Sequence, residues 1–126
     1  MPWKVIVVEP ARSWLHELRV SDRGTPRQIS TAIDILADEG PALGRPLVDT
    51  VTGSRLPNLK ELRPGSAGRS EIRLLFVFDP ARQAVFLVGG NKAGNWVRWY
   101  DQAIPEAEQA YENYLQDMKL GGGGDQ

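Results

Sequence analysis

Residues 71–88, EIRLLFVFDPARQAVFLV, leave this chain little freedom of fold. Ile72, Leu74, Phe76 and Phe78 alternate with Arg73, Leu75 and Val77, the two-residue period of an extended strand with apolar side chains on both faces. Asp79-Pro80-Ala81-Arg82 puts an aspartate and a proline in the first two positions of a tight turn, and Gln83 to Val88 forms the return strand. Residues 71–88 therefore form an antiparallel hairpin, and the rest of the chain serves as its scaffold.

That scaffold begins with Trp3 to Val8, an apolar, β-branched strand that ends at Glu9-Pro10. Ala11, Trp14, Leu15 and Leu18 fall at three- and four-residue spacings and predict an amphipathic helix to about Val20, broken by Asp22-Arg23-Gly24. Thr25-Pro26-Arg27-Gln28 combines a capping residue, a first-position proline and a glutamine three residues after the cap. The helix it opens sets Ile29, Ile33 and Leu36 on one face and stops at Gly40-Pro41, so two antiparallel helices are expected to cover one face of a sheet. Residues 41–57 contain three prolines and two glycines without a clean period and read as a long, partly ordered loop. Leu59 to Arg63 is a further strand, and a last helix is expected to start near Pro105. The predicted architecture is α+β, in the order β-α-α-β-β-β-α around one small, mostly antiparallel sheet. One domain spans residues 1–119, and the glycine-rich residues 120–126 form a disordered tail.

Composition narrows the function more by sign than by amount. Net charge is −1, yet residues 55–98 carry eight Lys or Arg against three Asp or Glu, and the other 82 residues carry seven against thirteen. Such a local basic patch fits an anionic ligand, whereas the total argues against a generic polycation. With no cysteine there are no disulfides, thiolate metal sites or cysteine nucleophiles. His16 is the only histidine, so a two-histidine nuclease site or a His-rich metal cluster within one chain is excluded, and neither metal nor cofactor is expected. The Gly-rich GGNKAG lacks the spacing of a P-loop. No apolar run approaches the ~20 residues that span a bilayer, and the N-terminus lacks a signal-peptide core, so a cytoplasmic, non-membrane protein is expected.

The remaining chemistry is cationic and aromatic. Lys60, Arg63, Arg69, Arg73, Lys92 and Arg98 lie on strands or adjoining loops of the one sheet, and guanidinium and ammonium groups converging there suit a phosphodiester. Arg73 sits in-strand between Ile72 and Leu74, where an aliphatic residue costs less, so it either serves an anionic ligand or pairs with Glu61 or Glu71 on neighbouring strands. Trp96, Trp99 and Tyr100 interleave with Arg98 as base-stacking residues beside phosphate contacts would. The competing use is as core: one of Trp96 and Trp99 is expected beneath the last helix.

These motifs together, LKELRPG, EIRLLFVF and VFLVGGNKAG before a C-terminal helix, resemble the RelE/ParE superfamily of bacterial type II toxins, in its phage-derived, HigB-like branch, over residues 3–118. The resemblance implies a RelE-like fold and a metal-independent ribonuclease that cuts mRNA, often on the ribosome, using the substrate's own 2′-hydroxyl. It implies that Arg73 stabilises the scissile phosphate, that Lys60 and Arg63 are the cations of the preceding strand, and that Lys92 is the cation after the hairpin. Tyr100 takes the position of a catalytic tyrosine or histidine at loose spacing, and Trp96 or Trp99 compete for it. It also implies a cognate antitoxin, a helix-turn-helix DNA-binding protein. A pI near 5.8 departs from the basic character of ribosome-dependent relatives. The same scaffold also hosts non-enzymatic inhibitors of DNA gyrase, the ParE branch, and inactive partner-binding modules.

Overall fold

The computed structural model describes residues 2–22, 24–65, 71–93 and 96–124, the side chains of 96, 97 and 121–124 excepted. Five strands, β1 (Lys4–Val7), β2 (Val48–Thr50), β3 (Lys60–Leu62), β4 (Ile72–Asp79) and β5 (Gln83–Asn91), form one sheet in the order β1-β5-β4-β3-β2. All neighbours are antiparallel except β1, which runs parallel to β5. Two helices, α1 (Ala11–Ser21) and α2 (Thr25–Glu39), cover one face, and α3 (Trp96–Gly124) covers the other.

The hairpin is the centre of this sheet, as its pattern requires. Ile72, Leu74 and Phe76 join Ile29, Ala32 and Leu36 of α2 in one core, while Leu75 and Val77 meet Ala103, Ala107 and Ala110 of α3 in the other. Its turn closes with an Arg82 N–H to Asp79 carbonyl bond of 3.1 Å, and the Asp79 side chain accepts from Ala81 N–H. Tyr114 of α3 donates to that carboxylate at 2.9 Å, fixing the helix to the hairpin tip. Burial, and then this bond, pushes the Tyr114 hydroxyl up to about 12.

Register slips once. Leu75 pairs with Val88 but Phe76 with Phe86, so Leu87 is an extra residue in β5, and Leu87 and Val88 both face α3. Beyond this bulge Gly89 meets Trp14 of α1 and Gly90 meets Trp99 of α3; a Cβ at either position would strike an indole. The GGNK segment is thus largely strand, and its glycines are there for close packing.

Three expectations are corrected. Residues 41–57 hold a short 3₁₀ turn (Gly40–Ala42) and the edge strand β2, whose Val48 pairs with Leu62 and is buried. The last helix starts at Trp96, so Pro105 lies inside it; the carbonyl of Asp101 forgoes its amide partner at an exposed position, where solvent can serve it. Thr25 does not cap its helix: it is the first helical residue after Gly24, makes no capping side-chain bond, and donates to Asp22 from its N–H at 3.0 Å and its hydroxyl at 2.6 Å. The helical backbone of α3 continues through residues 121–124. His16 is exposed on α1, and among the described residues no helix is long and apolar enough to cross a membrane.

Candidate functional site

Alternation along three adjacent strands brings the charged side chains together on the α3 face. Glu61 of β3 pairs with Leu75, and Arg73 lies two residues along β4, so the two share a face; Arg63, two residues beyond Glu61, shares it too. Glu61 is the hub, 2% exposed. Its Oε1 accepts from Arg63 Nε at 2.9 Å and is 3.9 Å from Arg73 Nε. Its Oε2 accepts from the Tyr100 hydroxyl at 2.6 Å. A carboxylate this buried is stable only with such partners.

Arg63 also reaches Asp49 of β2 at 3.0 Å, and Arg45 pairs with the same carboxylate at 3.2 Å. Burial alone would lower the Arg63 pKa, but Glu61 and Asp49 outweigh it and hold the guanidinium charged. Lys92, 5% exposed beyond the end of β5, places its ammonium 5.3 Å from the Tyr100 ring centroid. Burial, and next the Arg73 charge, holds the Lys92 amine below its ordinary value. Among the described residues this group brings together four cations, Arg45, Arg63, Arg73 and Lys92, and three carboxylates, Asp49, Glu61 and Glu71, the last acting on Lys92 by its charge. Arg73 is 14% exposed on its side chain; Nη1 donates to the Ile72 carbonyl at 2.8 Å, while its buried Nε has no hydrogen-bond acceptor among the described residues. An unsatisfied charged donor is costly, so the position is not one that packing alone would select.

Tyr100 keeps its proton. Burial and the bond to Glu61 both push its hydroxyl well above the usual phenol value, so at neutral pH it is a hydrogen-bond donor, not a base. Glu61, Arg63 and Tyr100 line a cleft of about 590 Å³ together with Thr50, Thr52 and Asp101. Arg73 and Lys92 join the cluster through Glu61 and Tyr100 without lining that cleft.

The other expected site residues lie elsewhere. Lys60 pairs with Phe76, so alternation turns it to the α2 side of the sheet, away from Arg73, with its Nζ 3.5 Å from Thr50 Oγ1. Trp99 is half-buried in the α3 core, edge-on to Tyr100 at 5.0 Å between ring centroids, and so supports the site from beneath as core. Arg98 is exposed on the first turn of α3. Arg69 and the Trp96 side chain fall outside the described residues. The sequence reading took Glu61 only as a possible partner of Arg73 and passed over Asp49. The signal for Glu61 was its spacing from Arg63, two residues apart on one strand. Among the described residues no cluster of three or more His, Asp or Glu is placed to hold a metal.

Residues 13–112 match the family described as "Phage derived protein Gp49-like". The chain is 56% identical over 108 residues to the "Putative toxin HigB2" of Mycobacterium tuberculosis; that match covers 86% of this chain and 52% of the relative, so the chain spans about half of its length. It is 52% identical over 118 residues to the "Putative toxin HigB3" of the same organism, covering 94% of this chain and 98% of that one.

Proposed function

Because the chain belongs to the phage-derived Gp49-like family, the HigB-like branch that its motifs resemble, we propose that it is the toxin of a type II toxin–antitoxin pair and acts as a metal-independent endoribonuclease on mRNA at the ribosome. Its partners in this reading are the message, the ribosome and a helix-turn-helix antitoxin. The observation that carries the reading is the surplus of cations, Arg63, Arg73 and Lys92, gathered with a proton-bearing Tyr100 around one buried carboxylate beside an open cleft.

Attack of the substrate's 2′-oxygen on the scissile phosphorus, its proton passing to solvent water, breaks the bond to the 5′-oxygen and builds negative charge on the non-bridging oxygens, which guanidinium groups held in place by Glu61 stabilise without reorganising. Arg73 is the phosphate-binding residue and Arg63 supports it. Lys92, its amine already lowered by burial and by Arg73, is placed to give a proton to the departing 5′-oxygen. Tyr100 holds Glu61 in place and offers its hydroxyl as a donor.

The test is 5′-end mapping of mRNA after brief induction, with wild type beside Arg73→Ala and with a translation-blocked message. Arg73→Ala is expected to lose cleavage by about 10²–10³-fold, the scale of one removed transition-state donor, while remaining folded. Full cleavage by Arg73→Ala refutes the assignment of the site. Intact mRNA with arrested growth and an SOS response replaces the nuclease with a gyrase inhibitor.

A further inference from the structure

The connection between β2 and β3 is tied to α3 outside the cationic cluster by two carboxylates, Glu108 and Glu112, of which Glu108 makes most of the bonds. Glu108 Oε2 accepts from the Ser54 hydroxyl at 2.8 Å and from the Arg55 backbone N–H at 2.9 Å. Its other oxygen is 3.7 Å from the Arg55 guanidinium, which also reaches Glu112 at 3.2 Å. The Glu108 side chain is only 16% exposed, and the Arg55 N–H, then the Ser54 hydroxyl, hold its carboxyl below the ordinary value. Val51 and Leu56, on either side of this tie, pack against the α3 core.

The residues just before the tie are those that wall the cleft. Thr50, Val51, Thr52 and Gly53 form one side; Tyr100, Asp101 and Ile104 of α3 form the other, about one to two helical turns before Glu108. The lining combines Val51 and Ile104 with Thr50, Thr52, Glu61, Tyr100 and Asp101, and Arg63 stands at the cluster side. A slot with apolar sides and several donors and acceptors at its edges suits a flat heterocycle, and Arg63 fits the phosphate attached to it.

We propose that this cleft is a nucleobase subsite of the same RNA site, and that Glu108 is the positioning residue that fixes its outer wall. The proposal rests on the nuclease reading. Residues 50–53 meet the base, Glu108 bonds to Ser54 and Arg55, and its effect on RNA passes through them.

Cleavage kinetics of the purified chain on a panel of short single-stranded RNAs test this, with wild type, Glu108→Ala and Glu108→Gln compared. Glu108→Ala is expected to raise KM roughly tenfold, the scale of a lost charged hydrogen bond, to flatten the preference among RNAs and to leave kcat within about twofold. Amide exchange over residues 51–56 should quicken in the same variant. Glu108→Gln keeps one accepting oxygen and the side chain's size, restores part of the effect, and serves alone if Glu108→Ala does not fold. Faster exchange with unchanged KM and unchanged preference overturns the subsite; unchanged exchange overturns the tie. Binding of 2′-O-methyl RNA, which cannot be cleaved, separates the two readings. If wild type binds it without cleaving free normal RNA and Glu108→Ala binds it more weakly, the subsite stands, and the nuclease is refuted when ribosomes programmed with the same RNA also show no cleavage; equal binding by both overturns the subsite.

Discussion

Replacing Glu61 by leucine probes the centre of the cationic cluster. The change leaves Arg63 with Asp49, but removes the only carboxylate among the described residues within 4 Å of Arg73 and the acceptor of the Tyr100 hydroxyl. Removing one side of a buried ion pair costs about 3–5 kcal/mol, chiefly by leaving its partner charged and unpaired. Domains of this size are stable by about 5–15 kcal/mol, so the loss is a large share of the total. At roughly 4 °C per kcal/mol the melting temperature should fall by about 12–20 °C. Urea unfolding, with the slope unchanged, gives the free energy directly. A second variant, Glu61→Leu with Arg73→Leu, removes the stranded guanidinium and should recover about 2 kcal/mol, a coupling well beyond the scatter of independent sites. A loss below about 1 kcal/mol in the single variant, the value of an exposed pair, together with no recovery in the double, would refute the hub.

Two further perturbations separate packing from chemistry. Gly90→Ala drives a methyl group into the Trp99 indole and should cost about 1–3 kcal/mol in a melt, whereas Gly44→Ala, with nothing within 4 Å of its Cβ, serves as the harmless control. Lys92→Met should lower RNA cleavage without lowering stability. Burial depresses the Lys92 amine, so between its folded value and 10.5 the unfolded chain binds more protons and wild-type stability rises with pH. The stability difference between Lys92→Met and wild type should therefore shrink across that interval, and a difference flat with pH in denaturant titrations counts against the burial argument.

The hairpin was legible because its two faces repeat at a period of two over eight residues, and α1 and α2 because their apolar stripes are bounded by breakers. Strand β2 was not: three residues between prolines and glycines carry no period, and Val48 is recruited by pairing with Leu62. The start of α3 was hidden by Pro105, a residue that usually marks a first turn and here sits nine residues inside. Arg73 was found from the cost of an in-strand charge, and its partner Glu61 was among those considered. Lys60 went astray because a charge's face depends on register, which sequence does not print. Trp99 read either as a stacking residue or as the tryptophan beneath the last helix, and its contact with Gly90 gives the second. Tyr100 was found, but the direction of its proton depends on Glu61, thirty-nine residues earlier in the chain.

The extra residue at Leu87 bears on how such a chain tolerates insertion and deletion. Ahead of it, β5 is phased to the hairpin core; after it, the same strand is phased to set Gly90 under Trp99 and lead into Lys92. Deleting Leu87 would join Phe86 directly to Val88 and restore a regular ladder, with Val88 still opposite Leu75 and every later residue on its present face. A deletion at the bulge should thus be tolerated, whereas one that removes Gly89 or Gly90, leaving a single glycine beneath two indoles, should not. The connection at 51–57, outside any strand, is the place where natural length variation among relatives has room to occur.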